Sequence, residues 1–271
     1  VIFIKYEFWF NYMNELNQKN IPFYSVSTIF RENHVFFKYS WFAKQLHHVT
    51  YFFVQDQQTK KMINSIGIYN VIISGDTRFD NVISKTKKTS DIPLINMFCK
   101  KKPTIICGST WPEDEVLLIK YIKNHPEKNY IIAPHELKHV SNLHKHTHGL
   151  LYSDANKINI LNNNVLIIDN IGLLSNIYGY GNIAYIGGGF GSGIHNILEA
   201  AAFGLPVIFG PNYTKFNEAI SLVNKKGAIS INNYHELSSA IDFFKNFDRS
   251  IALNYVQKNS GATRKILPLL S

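Results

Sequence analysis

The chain has 271 residues, of which 45% are apolar, 14% aromatic and only 17% charged; that balance excludes intrinsic disorder and fits one large or two medium folded domains. Lysine and arginine (28) outnumber aspartate and glutamate (19), giving a formal net charge of +9. A basic chain suits an anionic partner (nucleic acid, a nucleotide or an acidic membrane surface), although dispersed cations also arise from compositional drift.

No run of about 18 apolar residues occurs, so nothing reads as a bilayer-spanning helix, and no signal peptide is visible. Cys99 and Cys107 lack metal-ligand spacing and any C-x-x-C, the pattern of two ordinary thiols in a reducing compartment. The chain begins without Met inside an apolar run, which predicts a piece whose amino-terminal part lies upstream.

In chain order, the spacing predicts a strand at Val1–Ile4, a helix over Glu7–Gln18 and a strand at Phe23–Ser27. An aromatic-rich helix follows, with Phe36, Phe37, Tyr39, Trp41 and Phe42 near helical spacing. Such a stripe is a core face or, with Lys38, Lys44, His47 and His48 among it, an interfacial surface facing lipid. Strands at Tyr51–Val54 and Val71–Ile73 bracket a helix near Asp56–Ile66, which Gly67 stops. The polar stretch Thr77–Lys102 reads as a linker. Beyond it come strands Pro103–Thr110, Tyr130–Ala133, Val165–Ile168, Ile183–Ile186, Val207–Phe209 and Gly227–Ile231. Pro112 in a first turn with Glu113, Asp114 and Glu115 starts a helix. Alternating strands and helices predict an α/β fold with parallel strands. Five of the later strands end in glycine or polar residues, at the edge where such sheets bind ligands. The histidines His135, His139, His144, His146 and His148 read as a basic mobile loop, or as zinc ligands if preorganised.

The densest signal is Gly187-Gly188-Gly189-Phe190-Gly191-Ser192-Gly193-Ile194-His195-Asn196-Ile197-Leu198-Glu199. A glycine turn between the strand and an expected helix over Ile197–Phe203 presents backbone N–H groups and a positive dipole end to an anion. Asn196 and Glu199, three apart, would share a face of the first helical turn. That is a nucleotide-sugar pocket, with backbone for phosphate and a carboxylate for ribose; otherwise it is a turn that lets strand and helix pack closely.

Taken with Glu7-Phe8-Trp9-Phe10-Asn11, Gly75-Asp76-Thr77-Arg78-Phe79-Asp80, Gly108-Ser109-Thr110-Trp111 with Glu113-Asp114-Glu115, Pro134-His135-Glu136, Phe209-Gly210-Pro211 and Asn259-Ser260-Gly261-Ala262, this stretch resembles a known family. The family is the 3-deoxy-D-manno-octulosonic acid (Kdo) transferases of lipopolysaccharide assembly, and the motifs run in family order over nearly all of the chain. The resemblance implies a GT-B glycosyltransferase with two Rossmann-like domains, the amino-terminal one incomplete. Residues 1–88 would be the remaining acceptor-side domain, 89–250 the donor-binding domain and 251–271 a closing helix. It implies inverting, metal-independent transfer of Kdo from CMP-Kdo to a lipid A precursor, with no cofactor, at the cytoplasmic face of the bacterial inner membrane. Ser109, Thr110, His135, Gly172, Gly187, Gly188, Gly189, Gly191, His195, Asn196 and Glu199 would bind the donor, Glu199 through ribose hydroxyls. Glu7 would support the acceptor side, while the family's general-base glutamate is expected upstream of Val1, so that this stretch would lack it.

Some positions depart from the family pattern. Asp169-Asn170-Ile171-Gly172-Leu173-Leu174 lacks the carboxylate of the family's Gly-Glu-Leu element, Ala200 replaces a proline, and Gly193-Ile194 stands for a double glycine. Another GT-B enzyme (a UDP-sugar epimerase or a different lipid glycosyltransferase) and a degenerate transferase stay open. A nucleic-acid binder would need a clustered basic stripe or a recognition motif, and neither is visible.

Overall fold

Short runs of β-branched and aromatic residues form the strands, and every described strand pairs in parallel with its neighbours. A computed structural model of the protein describes residues 1–5, 7–31, 33–88 and 91–270. Two compact units emerge, one formed by residues 1–81 with 257–271 and the other by 82–256. The divisions thus fall at 81 and 256, where the sequence placed them at 88 and 250.

In the first unit, β1 (Ile2–Ile4), β2 (Tyr24–Thr28), β3 (Tyr51–Val54) and β4 (Val71–Ile73) lie side by side in that order. Met13 and Leu16 of the helix Phe10–Gln18 and Ile63 of the helix Gln57–Ser65 pack with Phe23, Phe52 and Val54. Asp56 caps the second of these helices by accepting from Thr59 N at 2.7 Å, a contact worth about 1 kcal/mol. The aromatic stripe, expected as one helix, is two: Val35–Lys38 and Ser40–Leu46, broken at Tyr39, whose backbone is extended. Phe36 is buried and Phe42 packs against the core, while Tyr39 and Trp41 each expose more than half their surface. The stripe is therefore a core face at Phe36 and Phe42 and solvent-exposed at Tyr39 and Trp41.

The carboxy-terminal residues of this unit form the helix Ala262–Ile266, whose Ala262 and Ile266 pack on Val26 and Phe53. Asp80 holds its start, accepting from Gly261 N at 2.5 Å and Thr263 N at 2.7 Å. Instead of one closing helix there are two, Ser250–Lys258 and Ala262–Ile266, separated where Gly261 turns left-handed at φ +100°.

The second unit carries β5 (Thr104–Thr110), β6 (Asn129–Pro134), β7 (Leu150–Leu151), β8 (Val165–Ile167), β9 (Ile183–Ile186), β10 (Val207–Phe209) and β11 (Ala228–Ser230). Their order is β11-β10-β9-β5-β6-β8-β7. The chain lays β6, β7 and β8 on one side of β5, with β8 between β6 and β7, then crosses back to place β9 on the other, so the order reverses between β5 and β9. Ligands bind outside the carboxyl ends of strands at such a switch point. Ile105, Cys107, Tyr130, Ile132, Val165, Ile167, Tyr185 and Ile208 form the core together with Leu118, Tyr121 and Ile122 of the helix Pro112–Asn124.

Two stretches are more regular than expected. The polar stretch Thr77–Lys102 is no linker: it contains the helices Thr77–Lys88 and Pro93–Cys99. Phe79 with Val82, and Ile95 with Phe98, are buried pairs three apart, enough apolar stripe to hold each helix down. Lys85, Lys87 and Lys88 occupy the last turn, where the dipole favours them. Residues 89 and 90 of that stretch lie outside the described residues. The histidine tract likewise contains a helix, Val140–Thr147, anchored by buried Leu143 and ended by His148 in the left-handed region at φ 52°. His144 Nδ1 bonds the Gly149 carbonyl at 2.8 Å.

Candidate functional site

At the tip of β5 the backbone kinks. The pairing with β6 shifts register between Gly108 and Thr110, and Ser109 between them adopts φ 54°. Pro112 opens the following helix, and Asp114 in its first turn points back beneath the strand tips. Fully buried, its carboxylate accepts from Trp111 N (2.9 Å), Gly188 N (2.9 Å) and the Tyr185 hydroxyl (2.7 Å). One acid thus ties the loop after β5 to the glycine turn after β9. Burial lifts its carboxyl above the ordinary range while those three donors pull the other way.

The glycine turn is shaped by close backbone approach. A side chain at Gly187 would meet Ser109 O at 2.3 Å and Thr110 Cα at 2.7 Å, and one at Gly189 would meet the Gly210 backbone at 2.6 Å. Gly187 N donates to Gly108 O and Gly188 N to Asp114, so both N–H groups are committed internally. Among the described residues the N–H of Gly189, which is buried like its two neighbours, has no partner, and it is the one of the three not committed internally. Gly191 is exposed, its N–H bonded to Gly188 O at 3.0 Å. The helix after the turn is short, Leu198–Ala201, because Gly193 at φ 144° and irregular backbone carry the chain up to it. Asn196 therefore precedes the helix, its side chain accepting from Leu198 N at 3.1 Å, and it shares no helical turn with Glu199. A four-residue helix also contributes little dipole.

Three rings gather over this turn. Trp111 and His135 stack with centroids 4.7 Å apart, His135 and His195 at 4.4 Å, and Trp111 lies 6° from parallel with His195. Trp111 Nε1–H donates to His195 Nε2 at 2.9 Å. Burial, with the His135 charge adding, holds His195 below its ordinary value.

Glu199, half-buried, forms an ion pair with Lys85 at 2.9 Å. Its charge also reaches the buried Tyr178 hydroxyl, whose ionisation burial pushes far up. Thr110 turns inward: fully buried, its hydroxyl donates to Glu115 Oε1 at 3.1 Å, so its side chain faces the core instead of a ligand. Gly172, at φ 94°, is exposed with nothing within 4 Å of its Cβ position. Asp169, just before it, accepts from Ser153 N at 3.0 Å. Glu7 belongs to the other unit, exposed and accepting from Trp9 Nε1 at 2.5 Å.

The structure thus brings together Ser109, His135, Gly187, Gly188, Gly189 and His195, with Asn196 and Glu199 on the chain just beyond. Sequence reasoning missed Trp111, Asp114 and Lys85 as members of this site. For Asp114 the signal was present: an acid two residues after a first-turn proline reaches back to the N-cap backbone. Nothing local marks Lys85, which meets its partner 114 residues away.

Residues 1–81 match the family model described as 3-deoxy-D-manno-octulosonic-acid transferase (kdotransferase). Among curated relatives, the Kdo transferase of Rickettsia bellii is 30% identical over 76% of this chain and 51% of its own length. That of Haemophilus influenzae is 26% identical over 99% of this chain and 68% of its own. The chain is a relative of the Kdo transferases. It spans about half the length of the Rickettsia proteins it matches. By fold, it resembles the carboxy-terminal CMP-Kdo binding domain of WaaA from Acinetobacter baumannii (TM-score 0.51, 15% identity, 66% of this chain and 97% of that one). It also resembles a putative UDP-N-acetylglucosamine 2-epimerase from Listeria monocytogenes (TM-score 0.67, 14% identity, 100% and 73%). These neighbours share the GT-B architecture of Rossmann-like domains with parallel sheets.

Proposed function

We propose that the chain is the part of a Kdo transferase whose second unit binds CMP-Kdo and whose first unit serves the acceptor, a lipid A precursor. The observation that carries this reading is the cluster at the switch point: Ser109, the Gly189 N–H and the Trp111–His135–His195 stack on one sheet edge, with the Glu199 carboxylate close behind in the chain. Phosphate would take the backbone and His195 donors, and ribose hydroxyls would take Glu199. On this reading the departing CMP needs no metal and the reaction no cofactor, because neutral donors, the Gly189 N–H and His195, offset its charge. Transfer inverts the anomeric centre in one displacement, with the acceptor proton removed by a carboxylate base and Glu7 supporting the acceptor side.

An anionic membrane surface, at the cytoplasmic face of the inner membrane, belongs to the same proposal, and exposed aromatic residues of the first unit support a membrane contact. Trp9, Tyr39 and Trp41 are largely exposed, Phe10 lies 5.0 Å from Trp41, and Lys38, Tyr39, Ser40, Trp41 and Phe42 line an open cavity of about 450 Å³. Aromatic side chains with neighbouring lysines suit the headgroup boundary. Among the described residues no helix is long and apolar enough to cross a membrane.

The likeness to UDP-sugar epimerases favours a second reading, a UDP-sugar site. Titration calorimetry with CMP and with UDP separates the two. Tighter CMP binding is expected, and tighter UDP binding would reject the Kdo assignment.

A further inference from the structure

An indole N–H donates and never accepts. Because Trp111 Nε1 lies 2.9 Å from His195 Nε2, that nitrogen carries the lone pair, and the ring proton of neutral His195 sits on Nδ1. Around the ring, Gly188 closes the Nε2 and Cδ2 edge: a Cβ on that glycine would meet Cδ2 at 3.0 Å and Nε2 at 3.3 Å. His135 covers a face, 4.4 Å centre to centre. Among the described residues Nδ1 has no partner, and the residue is only half-buried.

We infer that Trp111 is a positioning residue that locks His195 as the neutral Nδ1–H tautomer, so that His195 offers one fixed donor to the phosphate of the bound nucleotide. A neutral donor stabilises the growing charge on a departing phosphate without surrendering its proton, and the locked tautomer removes the choice of which nitrogen presents it. Protonation at Nε2 would break the Trp111 bond and set a charge against the stacked His135 ring. The other charged groups at the elements packed around the ring are Asp114, under the Gly188 backbone, and Glu199 on the following helix, paired with Lys85 of the helix Thr77–Lys88. This assignment rests on the donor-binding reading above, but its first half concerns the free protein alone.

The test has two arms. Nitrogen-15 NMR of the ligand-free protein is expected to show His195 as the Nδ1–H tautomer, and Trp111→Phe, which keeps a stacking ring but no donor, to give a tautomer mixture. The variant's His195 midpoint should rise by about one pH unit, the worth of one hydrogen bond made only to the neutral ring. An Nε2–H tautomer in the parent, or an unchanged tautomer in Trp111→Phe, overturns the inference whatever the ligand. In the second arm, His195→Phe is expected to weaken CMP binding on the order of ten-fold or more while leaving cytidine, which lacks the phosphate, unchanged. Equal losses for both ligands, or none, overturn the phosphate role. Failure of the parent protein to bind CMP at all, with the tautomer as expected, would instead sink the nucleotide reading and leave the tautomer lock standing.

Discussion

Replacing Asp114 separates its charge from its hydrogen bonds. In Asp114→Ala the buried Tyr185 hydroxyl and the Gly188 N–H lose their acceptor, and Trp111 N loses its own at the helix start. Each orphaned buried group costs about 1–3 kcal/mol, so the two deepest alone remove about 2–6 kcal/mol from a total stability of about 5–15 kcal/mol. Asp114→Asn should cost only about 1 kcal/mol. Its amide oxygen still accepts both backbone donors, and Tyr185 can rotate its hydroxyl to accept from the amide nitrogen. Urea denaturation read by fluorescence would resolve the difference as a shift in midpoint at constant slope.

The pH dependence follows from the direction of the shift. Burial raises the Asp114 carboxyl above its ordinary 3.8. The native state therefore keeps the proton to higher pH than the unfolded chain. The stability gained from that proton is complete below the unfolded value and lost as pH rises through the folded one. The gap between parent and Asp114→Asn should accordingly narrow from pH 4 to pH 7. Equal midpoints for the Ala and Asn variants, or an Ala variant as stable as the parent, would refute the view that Asp114 holds the strand tips together.

Glu199→Gln should reduce discrimination between CMP and its 2′,3′-dideoxy analogue on the order of ten-fold in calorimetry, and Lys85→Met should weaken CMP binding about three- to five-fold, with Lys85→Arg restoring it. Asp80 is pulled below its ordinary value, its burial being outweighed by the backbone bonds from Thr263 and Gly261. Its contribution is therefore present above about pH 3.8 and lost as pH falls through the lowered value, and Asp80→Ala should speed hydrogen exchange in Ala262–Ile266, measured by mass spectrometry. A Phe10→Ser, Trp41→Ser pair should abolish flotation with anionic vesicles while the parent floats with those and poorly with neutral ones.

Much of this architecture was legible in the sequence. β3, β6, β9 and β10 announce themselves as apolar runs bounded by glycine, proline or polar residues, and parallel pairing follows from the helices between them. What escaped notice depends on contacts between distant segments. The helices inside Thr77–Lys102 and around His144 rest on two apolar anchors or one, too few to stand out among lysines and histidines. Thr110 looked like a ligand-facing hydroxyl because the register shift at Ser109, which turns it inward, leaves no mark in composition. The glycine turn was found, but its reason was only half visible: Gly187 and Gly189 exist as much for the backbones of Thr110 and Gly210 as for any anion.

A crystal structure of the complex with CMP measures the central claim most directly. The phosphate should lie against His195 Nδ1 and the Gly189 N–H at the ends of β5 and β9, with the ribose hydroxyls on Glu199. Nucleotide found away from this edge, or with its ribose turned from Glu199, would contradict the account.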